Sequence, residues 1–141
     1  MKAAAAPVFV PDDLYADARP VLEVLRDRGI RTAVAGNFDR RIAGEVQGWG
    51  LAADPIVPAE ELGAEKPDPA FFSNLAAALR VQPAGLLYVG DRIDNDVLAA
   101  RAAGCGSVFL RRGPWAAIQE PVLSHNAPVI DSLEELVDLL G

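Results

Sequence analysis

The chain has 141 residues, 51% of them hydrophobic and 23% charged, with a formal net charge of −7. That length suits one domain able to bury a core without staples, and the composition is that of a globular protein rather than a disordered or fibrous one. The acidic balance argues against a nucleic-acid partner, since phosphate backbones call for a basic face. No apolar run approaches the roughly 20 residues of a membrane span, and Met1–Pro7 is too short for a secretory leader, so the expectation is a cytoplasmic protein. The single cysteine, Cys105, rules out an internal disulfide and reads as a buried small residue.

In chain order, Pro7-Val8-Phe9-Val10 reads as a short strand stopped by Pro11-Asp12-Asp13. Leu14 to Arg28 reads as a helix, with Val21, Leu22, Val24 and Leu25 on one face and Gly29 ending it. Ile30 to Ala35 is a buried strand, and Gly36-Asn37 turns into a helix from about Phe38 to Gly48. A short strand follows at Pro55-Ile56-Val57. Pro67-Asp68-Pro69 then opens a helix to about Arg80, with Phe71, Phe72, Leu75 and Leu79 on its apolar face. Leu86–Val89 is the clearest strand; Asp94 to Ala103 is a helix closed by Gly104, and Ser107–Leu110 is another strand. Trp115 to Asn126 is irregular or partly helical. Val129-Ile130 is an edge strand before a helix at Leu133–Leu140, where Ser132 and Glu135 fit a capping box. Short apolar runs alternating with amphipathic stretches predict a three-layer α/β/α, Rossmann-like parallel sheet.

Ligands of such sheets bind beyond the carboxyl ends of the strands. There the Ile30 strand presents Gly36, Asn37 and Asp39, and the Leu86 strand presents Gly90, Asp91, Asp94 and Asp96. Lys66 precedes the Pro67 helix. Acids clustered just after a buried strand can ligate a hard cation such as Mg²⁺, or they can cap the next helix and favour its positive end; spacing alone leaves both open. Lys66 by itself reads as a surface charge that Glu60, Glu61 or Glu65 could pair, and Asn37 as a turn residue. His125, the only histidine, is an acid–base candidate set in a loop. Trp115 is read as core packing, an interface or a pocket wall.

Taken together, three segments resemble the haloacid dehalogenase-like hydrolases. Ala33-Val34-Ala35-Gly36-Asn37-Phe38-Asp39 is similar to that family's second motif, Glu65-Lys66-Pro67-Asp68-Pro69 with Phe71 or Phe72 to its third, and Tyr88-Val89-Gly90-Asp91-Arg92-Ile93-Asp94-Asn95-Asp96 with Ala102-Ala103-Gly104 to its fourth. The similarity runs from about Tyr15 to Leu140, and is closest to the capped phosphatase and dehalogenase branch. The resemblance implies Mg²⁺ held by Asp91 and Asp96. It implies that Lys66 neutralises the nucleophile and the substrate phosphate, and that the backbone at Gly36 and Asn37 contacts a phosphoryl oxygen.

Two features depart from that pattern. Gly36 stands where the family has Ser or Thr, and no Asp-x-Asp-x-Thr first motif occurs in the sequence. Aligned on the N-terminal run, the nucleophile position falls on Val10 and the second acid on Asp12, which either reaches the site or, with Asp13, simply caps a turn. The expectation is one domain spanning 1–141, with 1–14 a degenerate segment in place of the first strand and cap. Its reading is a hydrolase-like protein whose phosphatase or dehalogenase chemistry is absent or strongly impaired. The alternatives are a non-catalytic binding or regulatory module, or a scaffold turned to other chemistry. A phosphorylated or anionic small molecule is the expected ligand. Loss of a central strand would bare two sheet edges, so three repairs are expected: the Val8 run fills the slot, the flanking strands close up, or a partner chain, most simply a second copy in a homodimer, supplies one.

Overall fold

A computed structural model describes residues 4–7 and 18–140. Among the described residues six strands form, and their ladders are all parallel. β1 (Ala4–Pro7), β4 (Leu86–Gly90), β5 (Gly106–Leu110) and β6 (Val129–Ile130) form one sheet in the order β1-β4-β5-β6, and β2 (Val34–Gly36) pairs with β3 (Ile56–Pro58). β2 lies beside β1 without sharing a ladder with it. The chain therefore builds outward from β1 through β2 to β3, then returns to lay β4, β5 and β6 on the other side. That reversal is the switch point at which parallel sheets bind ligands.

Ala4–Pro7 runs parallel to β4 with Ala4 opposite Leu86 and Pro7 opposite Val89, whereas most of the Val8 run expected to fill the first-strand slot falls beyond what the structure describes. Alanine has little intrinsic preference for a strand, so the pairing with β4 rather than local propensity makes this one. Val8, Phe9, Val10, Asp12, Asp13 and Tyr15 lie outside the described residues.

Side chains alternate across the sheet and make two cores. On one face Leu86 and Tyr88 of β4 and Ala35 of β2 meet Phe71, Phe72 and Leu75 of α4 (Pro69–Ala78), with Ala99 and Ala100 of α5 (Ala99–Ala102). On the other, Val34, Val89, Val108 and Ile130 meet α1 (Ala18–Asp27), Ala43 of α2 (Arg40–Gln47) and Leu136 of α7 (Glu134–Leu140). The period-2 division within β4 is what a strand covered by helices on both faces requires, and the predicted three-layer architecture stands.

Several boundaries moved inward. β2 begins at Val34 rather than Ile30, because the segment before it leaves the ladder. There Thr32 Oγ1 donates to Ala52 O at 2.9 Å and Arg31 reaches Leu79 O at 2.8 Å. A four-residue helix, α3 (Ala59–Leu62), precedes Lys66 and was not foreseen; it ends on Gly63 with φ 69°, a left-handed conformation glycine adopts without strain. Asp68 caps α4 as expected, accepting from Ala70 N at 2.9 Å. The helix after β4 opens as a π-turn, Ile93–Leu98, before α5, and α6, Pro114–Gln119, is the helical part of the stretch read as irregular or partly helical. The capping box at Ser132 is half made: Glu135 Oε2 accepts from Ser132 N at 2.9 Å. Among the described residues no helix is long and apolar enough to cross a membrane.

Candidate functional site

The site is built where β2, the turn after α3 and β4 end together. Lys66 Nζ donates to Asp96 Oδ1 at 2.6 Å, and both side chains are nearly out of solvent, at 6% and 3% exposure. The sequence left Lys66 to be paired by nearby glutamates; instead Glu60 accepts from Arg40 N and Glu61 faces Arg40. The lysine thus crosses 30 residues of chain to an acid on the fourth segment. The ammonium also lies 5.4 Å from the Tyr88 ring centre and 5.9 Å from that of Phe71, within cation–π range. A buried pair of this kind is held by its extra hydrogen bonds as much as by Coulomb attraction. Asp96 has one: Oδ2 accepts from Arg92 N at 3.1 Å.

The Asn37 side chain has a task of its own. Its Nδ2 donates to Lys66 O at 3.0 Å and its Oδ1 accepts from Lys66 N at 2.9 Å. The amide is spent on both backbone groups of the lysine, so Asn37 aims Lys66, and only the backbone at Gly36 and Asn37 remains for an anion. Gly36 closes β2 opposite Pro58. Two segments meant to meet at one rim are thereby tied to each other. Gly90 makes room for the third: a Cβ there would sit inside the Asp96 carboxyl.

Tyr88, missed in the sequence as a site residue, lies under the pair. Its buried hydroxyl donates to Ala35 O at 3.0 Å, joining β4 to β2. Burial, followed by the negative charges of Asp96 and Asp91, pushes its phenol well above the usual tyrosine value. Phe71 and Phe72 pack edge-on against that ring, with centroids 6.1 and 4.8 Å away. The Lys-Pro-Asp-Pro segment with its two phenylalanines is in this way bolted to β4.

The three acids after β4 divide their roles. Asp96 faces Lys66. Asp94 turns outward, accepting from Arg92 at 3.1 and 2.9 Å and from Asn95 N at 2.7 Å. Burial raises its pKa, but the hydrogen bonds from Arg92, Gln119 and Asn95 and the Arg92 charge together hold it below the usual carboxylate value. Asp91 directly follows the strand, close enough to Tyr88 to act on its phenol. Among the described residues no group of three or more His, Cys, Asp or Glu side chains could hold a metal. With both oxygens of Asp96 already accepting hydrogen bonds, the donor set fits a cation completed by phosphate and water, the usual manner of Mg²⁺, and not one caged by protein alone. Asp12, named as a catalytic candidate, lies outside the described residues.

The other candidates stand apart from the rim. His125 Nδ1 accepts from Ala127 N at 3.1 Å and its ring packs edge-on to Phe109 at 5.3 Å, a structural histidine in a loop. Cys105 is buried, as expected, and burial pushes its thiol up. Trp115 is not a core residue; it is 41% exposed and stacks on the Arg92 guanidinium 3.8 Å from the ring centre.

Fold and site define a doubly wound α/β core with a buried lysine–aspartate pair at its switch point. A profile of the haloacid dehalogenase-like hydrolases matches residues 2–104, and the chain belongs to that family. It is 36% identical over 130 residues to the haloacid dehalogenase-like hydrolase domain-containing protein 3 of Bos taurus, covering 83% of this chain and 51% of that one. It is 34% identical over 131 residues to a glyceraldehyde 3-phosphate phosphatase of Methanopyrus kandleri, covering 89% and 56%. Among solved structures, a HAD phosphatase from Thermococcus onnurineus superposes with a TM-score of 0.75 at 28% identity, covering 92% of this chain and 59% of that one. The chain thus spans about half the length of the curated relatives it matches.

Proposed function

We propose that this chain binds phosphate or a small phosphomonoester together with Mg²⁺ at the Lys66, Asp91 and Asp96 rim, and that alone it hydrolyses such esters very slowly. The observation that carries this reading is the buried Lys66–Asp96 pair, aimed by Asn37. It brings three separated segments to one point at the carboxyl ends of parallel strands. Lys66 has three N–H donors and spends one on Asp96, so the others can meet an anion that approaches past Gly36 and Asn37. Mg²⁺ held by Asp91 and Asp96 would offset charge on the phosphoryl oxygens. The phosphatase names among its relatives support the ligand class.

Slow turnover follows from the sequence. No Asp-x-Asp-x-Thr element is present, and without a covalent nucleophile a hard displacement is not split into two easier steps. Charge neutralisation and orientation remain, and those alone favour binding over chemistry.

Titration calorimetry with inorganic phosphate, with and without Mg²⁺, tests the binding half. Saturable heat that strengthens with Mg²⁺ and is lost in a folded Lys66→Met variant is the expected result. Phosphate that fails to bind the wild type in Mg²⁺ would reject the proposal.

A further inference from the structure

Behind the rim, α6 touches the loop that carries Asp96 in two places. Gln119, 6% exposed, aims its Oε1 at the first turn after β4, accepting from Ile93 N at 2.7 Å and Asp94 N at 3.4 Å. Those are opening amides of a helix, which have no partner within it. Four residues earlier on α6, Trp115 stacks on Arg92, whose guanidinium forks onto Asp94. Arg92 is also the residue whose own N–H holds Asp96 Oδ2. A side chain from a different element therefore caps the helix one residue beyond the amide that fixes the acid.

We propose that Gln119 is a positioning residue for the phosphate site: through the Ile93 and Asp94 amides it sets the loop whose Arg92 N–H holds Asp96 against Lys66. In its link to affinity the inference rests on the phosphate-binding reading above; in its link to loop geometry it does not. Removing the acceptor leaves two amides seeking a partner, and the turn must shift or take in water to satisfy them. Either response relaxes the Arg92 amide and Asp96 with it.

The test compares the wild-type chain with Gln119→Met and Gln119→Leu, each of which keeps a side chain of similar bulk and loses the acceptor. Amide hydrogen exchange is read without ligand, and phosphate affinity in Mg²⁺ by calorimetry. In the methionine variant, exchange at Arg92 and Ile93 should quicken tenfold or more relative to the core amides of Tyr88 and Val89, and phosphate affinity should fall about tenfold. In the leucine variant both should change in the same way. Equal acceleration at all amides would mean general loosening and overturn the proposal. So would unchanged exchange at Arg92 and Ile93 in either variant, a result that decides even if the other does not fold. If the wild type binds no phosphate, the functional reading fails, while exchange still decides what Gln119 does.

Discussion

Two ion pairs at the same end of the sheet differ more in surroundings than in length. Lys66–Asp96 closes at 2.6 Å with 6% and 3% exposure; Arg111–Asp131, beside β6, closes at 2.8 Å with 44% and 59%. Arg111 also reaches Glu120 at 3.3 Å. Hydrogen bonds with Asp131 first, then Glu120, hold the Arg111 guanidinium more firmly charged, and the same contact lowers the Asp131 carboxyl. In water such pairs are screened and trade one set of partners for another, so they contribute little. The inner pair has no such alternative. Each of its members is tolerable only because the other is there. Proximity of charges is thus a poor guide to importance, and burial decides.

The sharpest way to break that contrast is to remove one inner partner. Asp96→Ala leaves Lys66 buried without its acid and should cost about 3–5 kcal/mol in denaturant unfolding. The double variant Lys66→Met, Asp96→Leu should recover much of that loss while binding no phosphate; a double variant as unstable as the two singles summed would mean that the pair is not a coupled unit. Gly90→Ala comes next. Its methyl must displace the Asp96 carboxyl, with an overpacking cost of about 1–3 kcal/mol and loss of phosphate affinity; an unchanged affinity would show that Asp96 can move freely.

Tyr88→Phe is milder, about 1 kcal/mol for one hydrogen bond at neutral pH, but its pH signature is specific. The phenol's pKa in the fold lies well above the ordinary tyrosine value of 10.0. The unfolded chain therefore releases this proton first, and stability falls as pH climbs past about 10. The phenylalanine variant should lose this part of the alkaline decline. The smallest effect belongs to Arg111→Ala, whose unfolding midpoint should match wild type at moderate salt; a clear drop would erase the distinction between the two pairs.

Much of this was legible in the sequence, for identifiable reasons. Strand runs such as Leu86–Val89 and the Lys-Pro-Asp-Pro turn carry their own local signals, and Lys66 and Asp96 were named from motif order. The N-terminal strand was read from the β preference of Val-Phe-Val, residues outside those described, whereas Ala4–Pro7 has little such preference and owes its strand to pairing along β4. The π-turn after β4 and the cap from Gln119 were invisible, since both depend on a contact between Ile93 and Gln119 that is 26 residues distant in the chain. Asn37 was expected to offer its backbone to a phosphoryl oxygen; the reciprocal side-chain bonds to Lys66 could not be read, since they depend on how α3 returns the chain, and α3 itself went unseen.

Turnover of a generic phosphomonoester by the purified chain in Mg²⁺ tests the proposed reading most directly, because a sequence with no Asp-x-Asp-x-Thr element should bind phosphate and scarcely cleave its esters. The account predicts release of phosphate indistinguishable from that of the Lys66→Met variant. Mg²⁺-dependent turnover that saturates with substrate and disappears with Lys66→Met would contradict it.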